Sequence, residues 1–140
     1  MMKRKVALDV GDVRIGVAVS DMLGITANPR ETYVRKKDNI NADIAYFCEY
    51  AKKEDADAFV LGLPQNMDGT EGDRAAVTRQ FGDMLEQASG LEVLYQDERL
   101  TTVSAERMLI DADVRRDKRK KVIDKVAATI ILQSYLDSHR

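Results

Sequence analysis

The sequence predicts an α/β domain built on a mixed five-stranded sheet, with three antiparallel strands first and helices flanking the sheet. Two observations support this prediction. The chain opens with two alternating apolar stretches, KVALDV and RIGVAVS, separated by a short turn over residues 11–13, which is the pattern of an antiparallel hairpin. After a third stretch, ETYVRK, helical and strand patterns alternate, as they do where helices cover a sheet.

The middle of the chain supplies two helices and the two remaining strands. Asn39 or Asn41 can cap a helix that runs to about residue 53. The continuous apolar run DAFVLGLP predicts a strand covered on both faces, and its proline stops it. A polar loop over 65–73 then leads into a helix that Gly90 ends, and LEVLYQDE forms the last strand.

The last third of the chain is predicted to be helical on both sides of a basic loop. The stretch TTVSAERMLIDA predicts a helix capped by Thr101 or Thr102. Residues 114–121 are predicted to form a loop, and residues 122–136 the final helix. At 140 residues the chain has the size of one ordinary domain, so residues 1–140 are expected to form a single domain.

Composition and charge narrow the functional class. The chain is 44% hydrophobic and 33% charged, which is ordinary for a soluble protein. It has no apolar run of membrane-spanning length and no signal-peptide pattern, so we expect a cytoplasmic protein without membrane partners. The single cysteine, Cys48, excludes an intramolecular disulfide. The net charge of −2 means that binding to a polyanion would require locally clustered positive charge.

Positive charge is clustered in two places. The stretch VRRDKRKK carries six basic residues against one acid, and residues 35–37 (RKK) form a weaker cluster. Either can be a solvated surface or a contact for nucleic acid. Arg14 could likewise bind phosphate or pair with Asp12. The candidate nucleic-acid-binding residues are Arg14, Arg115, Arg116, Lys118, Arg119, Lys120 and Lys121.

Two carboxylates occupy positions where apolar residues are expected. Alternation places Asp9 on the face of the first strand that carries small residues, although burial disfavours a charge there. In the final helix Asp124 falls on the apolar side with Ala127 and Ala128. Small residues on both elements would let the helix lie close to the strand, with Gly16 as a packing position. The two carboxylates are therefore expected at one location.

A further acidic pair, Asp97 and Glu98, lies where the last strand gives way to the following segment. Strand periodicity allows only one of the two to face the site of Asp9. Like charges 4 Å apart repel by about 4 kcal/mol at an effective dielectric constant of about 20, so converging carboxylates require a cation or a raised pKa. Oxygen ligands favour Mg²⁺ or Mn²⁺, and carboxylate-held ions are a common device for phosphodiester hydrolysis.

Four blocks in order along the chain resemble the YqgF/RuvX family of RNase H-like nucleases: LDVGDVRIGVAVSD, VLGLPQNMDG, DERLTT and KKVIDKVAATIILQSYL. The resemblance implies an RNase H-like fold and a nuclease dependent on Mg²⁺ or Mn²⁺, with Asp9, Glu98 and Asp124 as the catalytic, metal-binding acids and Asp97 as the alternate. It also implies action on the 5′ end of precursor 16S rRNA or, alternatively, on Holliday junctions. Ala127 stands where junction-resolving relatives carry a second Asp.

Three classes of function remain open from the sequence. The favoured one is a metal-dependent endonuclease acting on structured nucleic acid, with a ribosomal subunit precursor as partner and a monomer or weak homodimer as the assembly. The second is a nucleic-acid-binding ribosome assembly factor that does not catalyse. The third is a phosphate-binding domain of the actin or sugar-kinase kind, against which the short chain argues because those proteins bind nucleotide between two lobes.

Overall fold

The computed structural model describes residues 3–65, 68, 70–97 and 116–139, with side chains in the last helix described from residue 122 onward. The helix predicted over 101–112, Glu98 and Arg115 lie outside the described residues. Within them no helix is both long and apolar enough to cross a membrane. The elements are β1 (Arg4–Val10), β2 (Arg14–Ser20), β3 (Ala27–Val34), α1 (Ile40–Lys53), β4 (Ala56–Leu63), α2 (Asp73–Ser89), β5 (Glu92–Asp97) and α3 (Arg116–Ser138).

The strands form one five-stranded sheet in the order β3-β2-β1-β4-β5. The strand β1 pairs antiparallel with β2, and β2 pairs antiparallel with β3. On its other side β1 pairs parallel with β4, which pairs parallel with β5. This arrangement confirms the predicted mixed sheet in which the three antiparallel strands come first.

Alternation along β1 and β2 separates the two faces of the sheet by side-chain size. One face carries large side chains packed against α1 and α2, and the other carries small ones packed against α3. The large face includes Val6, Leu8, Ile15, Val17, Phe47, Phe59 and Phe81, whereas the small face pairs Ala7, Ala18 and Val60 with Ala128, Ile131 and Leu132. The predicted packing of the final helix on the small-residue face is confirmed.

Two predicted boundaries are wrong. The strand β3 begins at Ala27 rather than near residue 31, because Pro29 sits opposite a register shift in an edge strand, where a missing N–H is tolerated. The helix α3 begins at Arg116 rather than near residue 122, so most of the predicted basic loop is helical. Lys and Arg are good helix formers, and the charge run therefore extends the helix instead of ending it.

A buried carboxylate joins β3 to α1 at the large face. Asp43 is fully buried in the first turn of α1, whose N-cap is Asn39. The Tyr33 hydroxyl donates to it at 2.8 Å, Arg35 Nε at 2.9 Å and the Lys36 backbone N–H at 3.1 Å. Burial and the hydrogen bond to Asp43 raise the pKa of Tyr33 to about 12, so its hydroxyl stays a donor. The carboxylate is thus paired and hydrogen-bonded, as a buried charge must be.

Replacing Asp43 with Asn is expected to lower the free energy of unfolding by about 2 kcal/mol, because the hydrogen bonds it accepts would lose their charge assistance and Arg35 would lose its counterion. Urea unfolding measures this difference. Glu49→Gln, which removes an exposed carboxylate from the same helix, is the matched control and is expected to change stability by less than about 0.5 kcal/mol. Equal stabilities for the two variants would contradict the prediction.

Candidate active site

Asp9 lies on the small-residue face of the central strand. Its neighbour two positions earlier on that face, Ala7, is fully buried under α3, and Asp9 itself is half-buried near the end of β1. Across the antiparallel pair Asp9 is directly opposite Gly16 of β2. The position of Asp9 is therefore set by the strand register, and the residue facing it has no side chain.

At Gly16 the backbone of α3 lies directly against the sheet. A Cβ atom at this position would lie 1.8 Å from the backbone oxygen of Asp124 and 2.2 Å from its carbonyl carbon. Only glycine permits so close an approach of two backbones. Because Gly16 is opposite Asp9, this contact places Asp9 and Asp124 next to each other, although 115 positions separate them in the sequence.

Asp124 lies within α3 and not at its end. The helix begins at Arg116, eight residues earlier, so Asp124 is in its third turn and cannot serve as a cap or as a partner of the helix dipole at the first turn. Its side chain is 19% exposed.

Arg14 orients the Asp124 carboxylate. Its Nε donates to Asp124 Oδ2 at 2.7 Å, a charge-assisted hydrogen bond across 110 positions of sequence. The pairing with Asp12 that the sequence suggested for Arg14 is wrong, since Asp12 pairs with Arg74. The guanidinium of Arg14 thus supplies one positive charge beside the Asp124 carboxylate.

Two arginines from the large-residue face of the sheet donate hydrogen bonds to the turn that follows Asp9. Arg35 donates from one terminal nitrogen to the Gly11 carbonyl oxygen at 2.9 Å, and Arg74 donates to the Val10 carbonyl oxygen at 3.3 Å. The Gly11 N–H donates to the Arg14 carbonyl oxygen at 2.9 Å and closes the turn. Sequence reasoning did not assign these roles, which depend on contacts from the β3–α1 connection and from α2.

Alternation places Asp97 on the face of β5 opposite the one that packs against α3. It pairs with Leu63 at the end of β5, two positions after Tyr95, and Tyr95 packs against the core that covers the large face. Leu94, by contrast, packs with the α3 cluster, so Leu94 and Asp97 are on opposite faces by alternation. The alternate assignment of Asp97 as a ligand is therefore disfavoured, and Glu98, the other acid of the pair, lies outside the described residues.

The basic cluster occupies the amino-terminal end of α3. Arg116, Lys118, Arg119, Lys120 and Lys121 belong to the helix, whereas Arg115 lies outside the described residues. At about 1.5 Å per residue, Arg116 is about 12 Å along the helix from Asp124. A single rigid element therefore carries both the cationic segment and one of the candidate acids.

The carboxylates fit an oxygen-preferring divalent cation. Asp9 and Asp124 are neighbours and contribute hard oxygen donors, the type that Mg²⁺ and Mn²⁺ favour. Residues 3–65, 68, 70–97 and 116–139 contain no group of three acidic, histidine or cysteine side chains arranged to hold a metal ion. The third acid implied by the motif resemblance, Glu98, is not among those residues.

A family model described as "RuvX: Holliday junction resolvase" matches residues 3–138. The chain belongs to the RuvX family. Relatives of this RuvX chain from Lactococcus lactis subsp. cremoris and Streptococcus equi subsp. zooepidemicus, both provisionally named pre-16S rRNA nucleases, are each 50% identical to it. The alignments cover 99% and 96% of this chain, respectively, and 97% of each relative. Membership in this family identifies the chain as a nuclease, a hydrolase of phosphodiester bonds.

A solved structure of RuvC from Thermus thermophilus in complex with a Holliday junction substrate matches the RuvX chain with a TM-score of 0.60 at 12% identity. The alignment covers 97% of this chain and 94% of RuvC. At so low an identity the match shows similarity of fold alone, and it confirms the predicted RNase H-like architecture.

Proposed function

We propose that this RuvX chain is a divalent-metal-dependent endonuclease that acts on structured RNA, with the 5′ end of precursor 16S rRNA as its substrate. One observation carries the proposal: the backbone of Asp124 rests on Gly16, directly opposite Asp9, so that two acidic residues from distant parts of the chain lie close together on one face of the sheet. The 50%-identical relatives, with their provisional name, favour the RNA substrate.

Asp9, Asp124 and Glu98 are the residues proposed to hold Mg²⁺ or Mn²⁺. When bound, the ion would supply Lewis-acid stabilisation of the phosphoryl group and activate the attacking water. Asp97 is excluded from the proposed set because it belongs to the opposite face of β5. Asp9 is positioned by the central strand and by the clamped turn that follows it, which limits its freedom before any ion binds.

Arg14 and the start of α3 are proposed to serve the phosphate groups. The guanidinium of Arg14 orients Asp124, and its positive charge offsets part of the repulsion between neighbouring carboxylates. The basic residues 115, 116 and 118–121 precede Asp124 on the chain and are proposed to bind the substrate backbone. In this proposal the chain is one domain that works in the cytoplasm, as a monomer or weak homodimer, on a precursor of the ribosomal subunit.

Cleavage of four-way DNA junctions is the second candidate activity. The description of the matching family model and the shared fold with a junction-bound RuvC favour it. The chemistry at the carboxylates would be the same, and only the shape of the bound nucleic acid would differ. The two activities are therefore separated by substrate and not by site.

Incubation with both substrates tests the proposal. The wild-type chain is expected to shorten 5′-extended 16S rRNA in Mg²⁺ or Mn²⁺ and to leave it intact in EDTA, and to cut a four-way DNA junction more slowly. Faster cutting of the junction would make DNA the substrate. Cleavage in EDTA would overturn the metal dependence, and tight RNA binding without cleavage under any of these conditions would identify a non-catalytic assembly factor instead.

A further inference from the structure

An open cleft of about 670 Å³ lies beside the turn that follows Asp9. One wall is this β1–β2 turn, with Asp12 and Val13, and the other is the connection from β3 to α1, with Lys36 and Lys37. The Arg35 backbone N–H donates to the Val13 carbonyl oxygen at 2.9 Å and fixes the two walls relative to each other. The backbone thus holds the two walls of the cleft together, and we refer to it as the Lys36–Lys37 cleft.

The other charged residues around the cleft leave the side chains of Lys36 and Lys37 available to bind an anion. Arg35 is neutralised by the buried carboxylate of Asp43, and Asp12 is paired with Arg74. Lys36 and Lys37 are exposed, and neither has an ion-pair partner among the described residues. The cleft also contains Asp38, so its unpaired side chains carry two positive charges and one negative charge, and the amino-terminal end of α1 adds a partial positive charge.

The cleft and the basic start of α3 lie at the same end of the strands, the end at which the β1–β2 turn connects β1 to β2. The Ala27 backbone N–H, opposite Ser20 in the register, donates to Gln133 of α3, whereas Asp124 rests on Gly16. The helix therefore runs parallel to β2, and its amino-terminal end points toward the β1–β2 turn. Two cationic segments thus flank this turn, one from each face of the sheet.

The distance between the Lys36–Lys37 cleft and Asp9 corresponds to a few nucleotide steps of a nucleic-acid backbone. Four residues lead from Asp9 to Val13 in the cleft wall, which spans at most about 13 Å at about 3.3 Å per residue. A nucleic-acid duplex rises by about 3.4 Å per step, so the cleft is at most about four steps from the candidate acids. Phosphates flanking the one that reacts would reach it.

We propose that Lys36 and Lys37 bind the phosphodiester backbone of the substrate on the side of the β1–β2 turn opposite the basic start of α3. The inference rests on the proposed function and extends it, because it gives the substrate a second contact beyond the reacting phosphate. A 5′ extension of RNA and an arm of junction DNA present the same phosphodiester chemistry to this cleft.

The double variant Lys36→Gln/Lys37→Gln tests the inference by binding. We expect its Kd for 5′-extended 16S rRNA to rise about ten-fold, and the slope of log Kd against log salt to fall by about 1.4–1.8, the loss of two phosphate contacts. Lys52→Gln/Lys53→Gln is the matched control: it removes the same charge from the far end of α1, about 20 Å away, and is expected to keep the wild-type slope.

Two comparisons make the outcome decisive. Fluorescence anisotropy measures the salt slope on a long RNA and on a four-way junction, and a lower slope shows which of the two substrates reaches the cleft. An unchanged salt slope on both long substrates, with unaltered thermal unfolding, overturns the inference. If the wild type fails to cleave any substrate but the double variant still loses the slope, the proposed function fails and the binding surface stands.

Discussion

Asp9→Asn is expected to lower metal-dependent cleavage at least about 100-fold, because the site would lose an anionic oxygen ligand, and even substitutions of residues that only support metal ligands cost 10- to 100-fold. Asn is nearly isosteric with Asp, so the strand register and the contact between Gly16 and Asp124 should be kept. The measurement is the rate of shortening of 5′-extended 16S rRNA at saturating Mg²⁺, with thermal unfolding as a check that the variant is folded.

Asp97→Asn is the matched control for this prediction. It removes a carboxylate by the same chemical change, yet Asp97 belongs to the opposite face of β5 and is expected to leave the rate within about two-fold of wild type. Glu98→Gln is expected to behave like Asp9→Asn. A wild-type cleavage rate for Asp9→Asn would show that Asp9 is not part of the site. If Asp97→Asn lost as much cleavage activity as Asp9→Asn, Asp97 and not Glu98 would be the acid of the pair that serves the site.

Gly16→Ala is expected to lower the free energy of unfolding by about 3 kcal/mol or more, since its Cβ atom would lie 1.8 Å from a backbone oxygen that cannot rotate away. The helix α3 would have to lift from the sheet and expose the small face under it, which includes Ala7, Ala18 and Val60. Cleavage should fall together with stability, because the same displacement moves Asp124 away from Asp9. For a chain of this size the expected fall in Tm is about 6–12 °C.

Gly24→Ala separates this steric effect from the general cost of replacing glycine. Gly24 has φ = +72°, and nothing lies within 4 Å of the position its Cβ would occupy, so only backbone strain of about 1 kcal/mol is expected. Cleavage should be retained in that variant. If Gly16→Ala were no less stable than Gly24→Ala, α3 could not lie as close to the strand as the structure shows.

Much of this fold follows from side-chain size along two strands. Alternation in β1 and β2 assigned large residues to one face and small residues to the other, and the helices packed as that division requires. The start of α3 could not be read in the same way, because its first residues are charged and carry no apolar periodicity. The Arg14–Asp124 pair was equally hidden, since it joins residues 110 positions apart.

An acid on the apolar side of a helix had two different explanations in this chain. Asp124 prompted the prediction of a functional site, but Asp43 follows Ile40 by three positions and precedes Phe47 by four, which is the same signal. The structure gives Asp43 a structural network with Tyr33 and Arg35, whereas Asp124 faces Arg14 and lies beside Asp9. Periodicity thus locates an unusual carboxylate, and its neighbours in space decide what it does.

The contact of Asp124 with Gly16 also ties activity to the order of synthesis. Asp9 belongs to β1, while Asp124 belongs to the last described helix, so α3 is synthesised after the strand that carries Asp9. Until α3 has been made and has docked, the small face of the sheet is uncovered and the proposed site lacks one of its acids. A nascent chain held beside ribosomal RNA would therefore be inactive, and cleavage would begin only once α3 has been synthesised and has folded onto the sheet.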